Sequence, residues 1–301
     1  MRYWKRQYKI RFPDLDLEYN NFDDEKDSLH ISFEVVKDVS DKSNKTKLKI
    51  INLSEESIRK IEKADTKVEI YAGYKELGGA MHIFSGTVIS CKSKDTLKDV
   101  ETELELSDGQ VALRDTVVSM NFAPGTDARN IVSRLAAEMG LPITFGKDVT
   151  FESYPNGYSC VGAARDALTE VCNANGLTWS IQNGIISVIL SGGTSVDSGI
   201  VFSPSSGLIG SPERIVESRA KEDKETPKRS RTQKAKKEKP EKKAGWKIRA
   251  LLTPSLNAGD AVKVESRLIA GWFRVETIKH GGDSVSGDWT SEIELIEYQG
   301  G

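Results

Sequence analysis

A chain of 301 residues, 38% hydrophobic and 7% aromatic, is long enough for two or three domains that each bury a core. No apolar run reaches the ~18 residues that a membrane-spanning helix needs. The basic start Met1-Arg2-Tyr3-Trp4-Lys5-Arg6 has no apolar stretch behind it and does not read as a secretory signal. The net charge of −2 hides a division: residues 219–243 hold twelve Lys or Arg and five Asp or Glu, hence +7, while the other 31 basic and 40 acidic residues leave −9. A basic arm on an acidic body can meet nucleic acid, an acidic partner or its own body.

The first part, to about Val117, reads as strands. Tyr8–Phe12 and His30–Val35 alternate as half-buried strands do, and the regular lysines of Lys47-Leu48-Lys49 suit an exposed face or a protected edge. Ser54-Glu55-Glu56 opens a short helix, with Ser54 as N-cap and acids in its first turn. Further strands follow over 67–74, 81–91 and 100–107. In the last, Val100, Thr102, Leu104 and Leu106 face one way and Glu101, Glu103 and Glu105 the other. Several short strands with one small helix imply a closed barrel or a sandwich.

Two amphipathic helices come next. The spacing of Ala128, Ile131, Val132, Leu135 and Met139 predicts a helix over 127–139 that Gly140 ends. A second helix, over 159–175, carries Val161, Ala164, Leu168, Val171 and Cys172 on one stripe and stops at Gly176. Each runs into Gly-Leu and an extended segment, and Asn183-Gly184 between apolar residues predicts a two-residue hairpin turn. After the linker-like Ser191-Gly192-Gly193-Thr194-Ser195, strand patterning returns from Ile200, breaks for the lysine-rich segment, and resumes over 261–266, 272–279 and 291–298.

The fold class is therefore α+β, mainly β: two β-barrel-like domains (1–117 and 191–301) flanking a small α/β domain (118–190), the second barrel interrupted at 219–243.

Enzyme chemistry is not legible. His30, His82 and His280 have no partners at metal-ligand spacing, and neither CxxC nor HExxH occurs, so no metal or cofactor is expected. Gly73-Tyr74-Lys75-Glu76-Leu77-Gly78 has the glycine spacing of a phosphate loop, but Gly79-Ala80 stand where Lys and Ser or Thr are required, and a strand follows rather than a helix. Cys91, Cys160 and Cys172 read as reduced thiols. Cys160 and Cys172 would sit at the two ends of one helix, about 18 Å apart by its rise.

Three groups of residues carry a resemblance. The first is Ile51-Asn52-Leu53-Ser54, Tyr71-Ala72-Gly73-Tyr74 and Ile83-Phe84-Ser85-Gly86. The second is Ala123-Pro124-Gly125-Thr126 with Gly176-Leu177-Thr178-Trp179. The third is Gly207-Leu208-Ile209-Gly210-Ser211-Pro212, Pro254–Asp260 and Gly271-Trp272-Phe273. In that order they resemble the baseplate hub proteins of contractile-tail phages, akin to late control protein D and to the hub part of type VI secretion spike proteins. The resemblance implies a structural protein, assembled in the host cytoplasm and carried in the virion. It would form a homotrimeric, pseudo-sixfold ring between tail tube protein and spike protein, touching other baseplate subunits.

The family pattern has no role for the insert. Its cations Lys228, Arg229, Arg231, Lys234, Lys236, Lys237 and Lys239 form a candidate electrostatic contact segment. A solvated loop or hairpin, and contact with DNA, the tape-measure protein or a neighbouring subunit, all remain open. Two other readings compete: a nucleic-acid-binding β-barrel using the basic segment, and a cell-wall-cleaving tail enzyme, which would need two positioned carboxylates.

Overall fold

The computed structural model describes residues 5–22, 28–41, 43–63, 65–218 and 242–298. The first β-unit consists of β1 (Arg6–Phe12), β2 (Leu17–Asn20), β3 (Ile31–Asp38), β4 (Lys45–Ile51), β5 (Lys67–Tyr74), β6 (Gly79–Asp95) and β7 (Val100–Ser107), with helix α1 (Glu55–Ile61) between β4 and β5. Its antiparallel strands lie in the order β3-β4-β7-β6-β5-β1-β2. Period-two alternation puts Ile10, Ile31, Leu48, Ile70 and Leu104 into one core, all with no exposed surface. The Ser54 side chain accepts the Ser57 N–H, so α1 is capped as its sequence requires. β4 lies between β3 and β7, so Lys47 and Lys49 mark an exposed face and not an edge.

The α/β unit follows as α2 (Gln110–Asp115), β8 (Val117–Phe122), β9 (Thr126–Asp127), α3 (Ala128–Glu138), β10 (Ile143–Phe145), β11 (Ser153–Tyr154), β12 (Tyr158–Ala163), α4 (Ala164–Ala174), β13 (Leu177–Gln182) and β14 (Ile185–Leu190). Asp127 caps α3 by accepting the Arg129 N–H at 2.7 Å. Asn183 and Gly184 both take positive φ, 55° and 76°, which turns β13 back onto β14. One expectation is corrected. Residues 159–163 are strand, not the first turn of a helix, because 158–163 pair with the whole of β8. Cys160 therefore lies in β12 and only Cys172 is helical. The helical stripe is intact from Ala164 onward, but the β8 ladder claims the backbone before it.

The last unit contains β15 (Asp197–Phe202), β16 (Leu208–Ser218), β17 (Lys242–Leu251), β18 (Ala261–Glu265), β19 (Ala270–Asp283) and β20 (Trp289–Glu297). Ile248, Val262, Val275 and Ile293 are among its core residues. β16 and β17 pair antiparallel as far as Ser218↔Lys242, so the lysine-rich segment joins the two ends of a hairpin, and Lys242 and Lys243 belong to β17 itself. The candidate contact residues Lys228, Arg229, Arg231, Lys234, Lys236, Lys237 and Lys239 lie outside the described residues.

The two β-units are joined edge to edge. The far end of the long strand β19 pairs with β3, from Thr277↔Asp38 to Asp283↔Ser32, so that thirteen strands form one sheet. Side chains lock this seam. Trp289, from the last unit, packs edge-on against Phe33 at 5.2 Å, donates its indole N–H to Gly73 O at 3.1 Å, and its carbonyl accepts the Tyr74 hydroxyl at 2.8 Å.

Candidate functional site

The three histidines occupy separate settings. His280 is fully buried, within 2.9 Å of the Ser291 hydroxyl, and burial pushes its pKa down to about 3, so it is a neutral core group. His30 meets both carboxylate oxygens of Asp283 at 3.0 Å across the seam. His82 stacks edge-on with Tyr71, and burial lowers its pKa. Among the described residues no three His, Cys, Asp or Glu side chains gather as a metal site. The Gly73–Gly78 stretch is a turn between β5 and β6 with Gly78 at φ 94°, and it opens no helix that could hold a phosphate. The thiols are free, and burial raises the pKa of each, that of Cys172 to about 12.

Two features organise the molecule instead. The first is a buried polar junction where all three units meet. Lys37 points inward from β3 by the same parity that buries Ile31, Phe33 and Val35. It is fully buried, and its ammonium donates to Asn257 Oδ1 at 2.8 Å. Asp108, where the first β-unit hands over to α2, accepts the Gly184 N–H at 2.9 Å from the tip of the β13–β14 hairpin. Asp260 accepts the Ser195 hydroxyl at 2.5 Å and the Asn257 N–H at 2.9 Å. Burial dominates the titration of all three. It lowers Lys37 to about 8 despite the attraction of Asp108 and Asp260, raises Asp108 to about 6, and raises Asp260. Around this centre Asn44 Nδ2 donates to Ile181 O and Gln182 Nε2 to Asp38 O, both linking the first β-unit to the α/β unit, and Arg274 donates to Gly193 O in the connecting segment. Sequence reasoning missed this cluster, because a lysine after Val35-Val36 carries no mark that distinguishes a buried ammonium from a solvated one.

The second feature is the outward face of the fused sheet. At facing positions there, a charge on one strand meets the opposite charge on its neighbour. Glu213 on β16 stands opposite Lys247 on β17, which with Arg249 faces Glu294 and Glu292 on β20. Glu292 faces Lys279 on β19, which pairs with Glu34 on β3 at 2.7 Å. Glu34 faces Lys47 on β4, and Lys47 and Lys49 face Glu105 and Glu103 on β7. Glu103 and Glu101 in turn face Lys92 and Lys94 on β6. Eight consecutive strands thus alternate in sign and cross the seam between units without a break. Each exposed cross-strand pair contributes only ~0.2–1 kcal/mol, but every like-charged neighbour would reverse that sign, so the pattern favours this strand order over its alternatives.

The family model for baseplate hub gp41 matches residues 15–214, which run from the first β-unit through the α/β unit into β16. The chain belongs to that family. It is a structural protein of the phage tail baseplate. Nearly full-length fold matches agree. A tail protein from Neisseria meningitidis MC58 superposes with a TM-score of 0.65 at 12% identity, covering 98% of this chain and 97% of that one. The 43 kDa tail protein of prophage MuSo2 from Shewanella oneidensis gives 0.65 at 10% identity, covering 97% of both chains. A component of the type VI secretion system from E. coli gives 0.57 at 10% identity, over 90% of this chain and 74% of that one. Identities this low carry the fold alone. No curated protein matches the chain in sequence.

Proposed function

We propose that this hub protein works as a homotrimer, its two β-units per chain making a pseudo-sixfold ring between the tail tube and the central spike, without catalytic turnover. The observation that carries this reading is the seam. Strands β19 and β3 join the two β-units into one sheet, and Trp289, Phe33 and Tyr74 lock them, so a protomer presents both units as one rigid body. Three rigid pairs satisfy a ring of six similar blocks with threefold symmetry. The fold shared with tail proteins and with a type VI component over nearly the whole chain supports a place in a tail-like assembly.

On this reading the chain divides near 117 and 190. The α/β unit braces the pair through the polar junction, and the basic segment leaving the β16–β17 hairpin serves contact with the tape-measure protein or another baseplate subunit. The nucleic-acid reading is disfavoured by chemistry. The described outer face alternates acid with base instead of presenting the continuous basic, aromatic-studded groove that single strands require.

Co-expression with tube and spike proteins, followed by mass measurement and imaging of the complex, tests the proposal. Three copies, each contributing two blocks to the ring, is the expected result. A stable dimer, or a ring in which each chain contributes one block, would refute it.

A further inference from the structure

Exposed sheet edges are places where another chain's strand can pair, and proteins normally blunt them with charge, proline, bulges or shortness. The free edges of the large sheet are blunted in this way. β16 carries Pro212, Glu213 and a register shift, β2 is four residues long with Glu18 exposed, and β15 has Gly199 at φ 69° and a register shift. The two-stranded sheet β8–β12 differs. Its strands, VVSMNF and YSCVGA, hold no charged residue and no proline, and Val117 and Val161 are 74% and 84% exposed.

The parity of the β8 edge is settled by one bond beside it. Thr116 O accepts the Ala164 N–H, so Thr116 faces the β12 side, and with it Val118, Met120 and Phe122. The N–H and C=O groups of Val117, Ser119 and Asn121 therefore point away from β12, and among the described residues β8 pairs with no other strand. Along that side runs a groove of about 540 Å³, with all six residues of β8 as one wall and Asn130, Arg134 and Glu138, four residues apart on α3, as the other. Arg134 and Glu138 pair with each other at 3.7 Å, so the groove, like the strand, is electrically neutral.

We propose that this groove takes an extended, uncharged, β-prone segment of another protein chain as an added strand beside β8. Charge selects the class of occupant: a neutral strand matches a neutral edge, whereas a charged one would lose water without gaining a counter-ion. Size selects a segment over a second copy. Six residues give an edge of roughly 20 Å, and a strip that long and about 10 Å wide covers only ~200 Å², short of the ~800 Å² per partner that a stable dimer buries.

The test uses the full chain and a fluorescein-labelled hexapeptide of alternating Thr and Val, with an alternating Thr-Lys hexapeptide as control. Anisotropy should rise with the Thr-Val peptide and not with the control. Ser119→Pro, which deletes an N–H on the free edge and leaves the β12 ladder intact, should weaken binding at least tenfold. Amide exchange of the wild-type chain provides a reading that does not depend on how the variant folds. Saturating peptide should slow Val117, Ser119 and Asn121 selectively, leaving Val118, Met120 and Phe122 unchanged. No binding at millimolar peptide, equal binding of the Thr-Lys control, or unchanged exchange at those three amides would each overturn the proposal. So would an oligomer of the wild-type chain that Ser119→Pro dissolves, since the edge would then belong to a second copy.

Discussion

Replacing Asp108 by Asn tests the electrostatics of the junction where the three units meet. Asn keeps an oxygen that can accept the Gly184 N–H at the tip of the β13–β14 hairpin, and removes only the charge. In the folded protein burial raises the Asp108 pKa from 3.8 to about 6, against the opposing pull of the Gly184 and Asn183 N–H groups and of Lys37. A shift of roughly two units corresponds to about 3 kcal/mol by which the fold prefers the neutral form. The direction follows from linkage. The folded state holds the proton more tightly than the unfolded chain, so the stability tied to Asp108 is fully present below about pH 4 and is lost as pH rises through about 6. Above that pH the wild-type chain carries a buried carboxylate that Asn does not.

Asp108→Asn should therefore raise unfolding stability at pH 7.5 by about 1–3 kcal/mol, less than the full shift where the amide nitrogen replaces an oxygen that accepts the Asn183 N–H. That corresponds to a thermal midpoint higher by roughly 2–5 °C. At pH 4 the two proteins should converge. Urea unfolding followed by tryptophan fluorescence at both pH values provides the measurement. A variant less stable than wild type at pH 7.5, or a difference that does not change between pH 4 and 7.5, would refute the reasoning. The first result would mean that the carboxylate's attraction to Lys37 outweighs the cost of burying it, and the second that the two cancel.

Two further predictions concern the seam. Glu34→Lys sets a cation between Lys279 and Lys47 on the outward face, and should cost about 1 kcal/mol, measured by denaturant titration; the loss should shrink in 0.5 M NaCl (roughly, given a Debye length of a few Å near molar salt), because these side chains are partly exposed. Gly282→Ala would place a methyl 2.5 Å from the Phe33 ring and 2.6 Å from the Trp289 ring, so the seam must open or the rings must shift. A loss of about 1–3 kcal/mol is expected, with a change in near-ultraviolet circular dichroism from Trp289; an unchanged midpoint would show that the rings yield freely.

Local chemistry determined much of this molecule. The alternation from Val100 to Leu106 defines β7 and its outward acids, Ser54 and Asp127 cap their helices, Asn183-Gly184 turns its hairpin, and the lysine-rich segment announces itself by composition. These features are legible because each depends on residues within a few positions of one another. The resemblance to baseplate hub proteins was likewise present in short stretches spread along the chain.

What the tertiary structure alone decided is long-range. The pairing of β19 with β3 joins residues some 240 positions apart, and no local pattern names a strand's partner. Residues 159–163 fit a helical stripe equally well, and became strand because β8 offered them a ladder. Lys37 shares the parity of Ile31, Phe33 and Val35, yet its composition argues for solvent. Only the meeting of three units, with Asn257, Asp108 and Asp260 arriving from elsewhere in the chain, supplies the partners that make burying an ammonium tolerable.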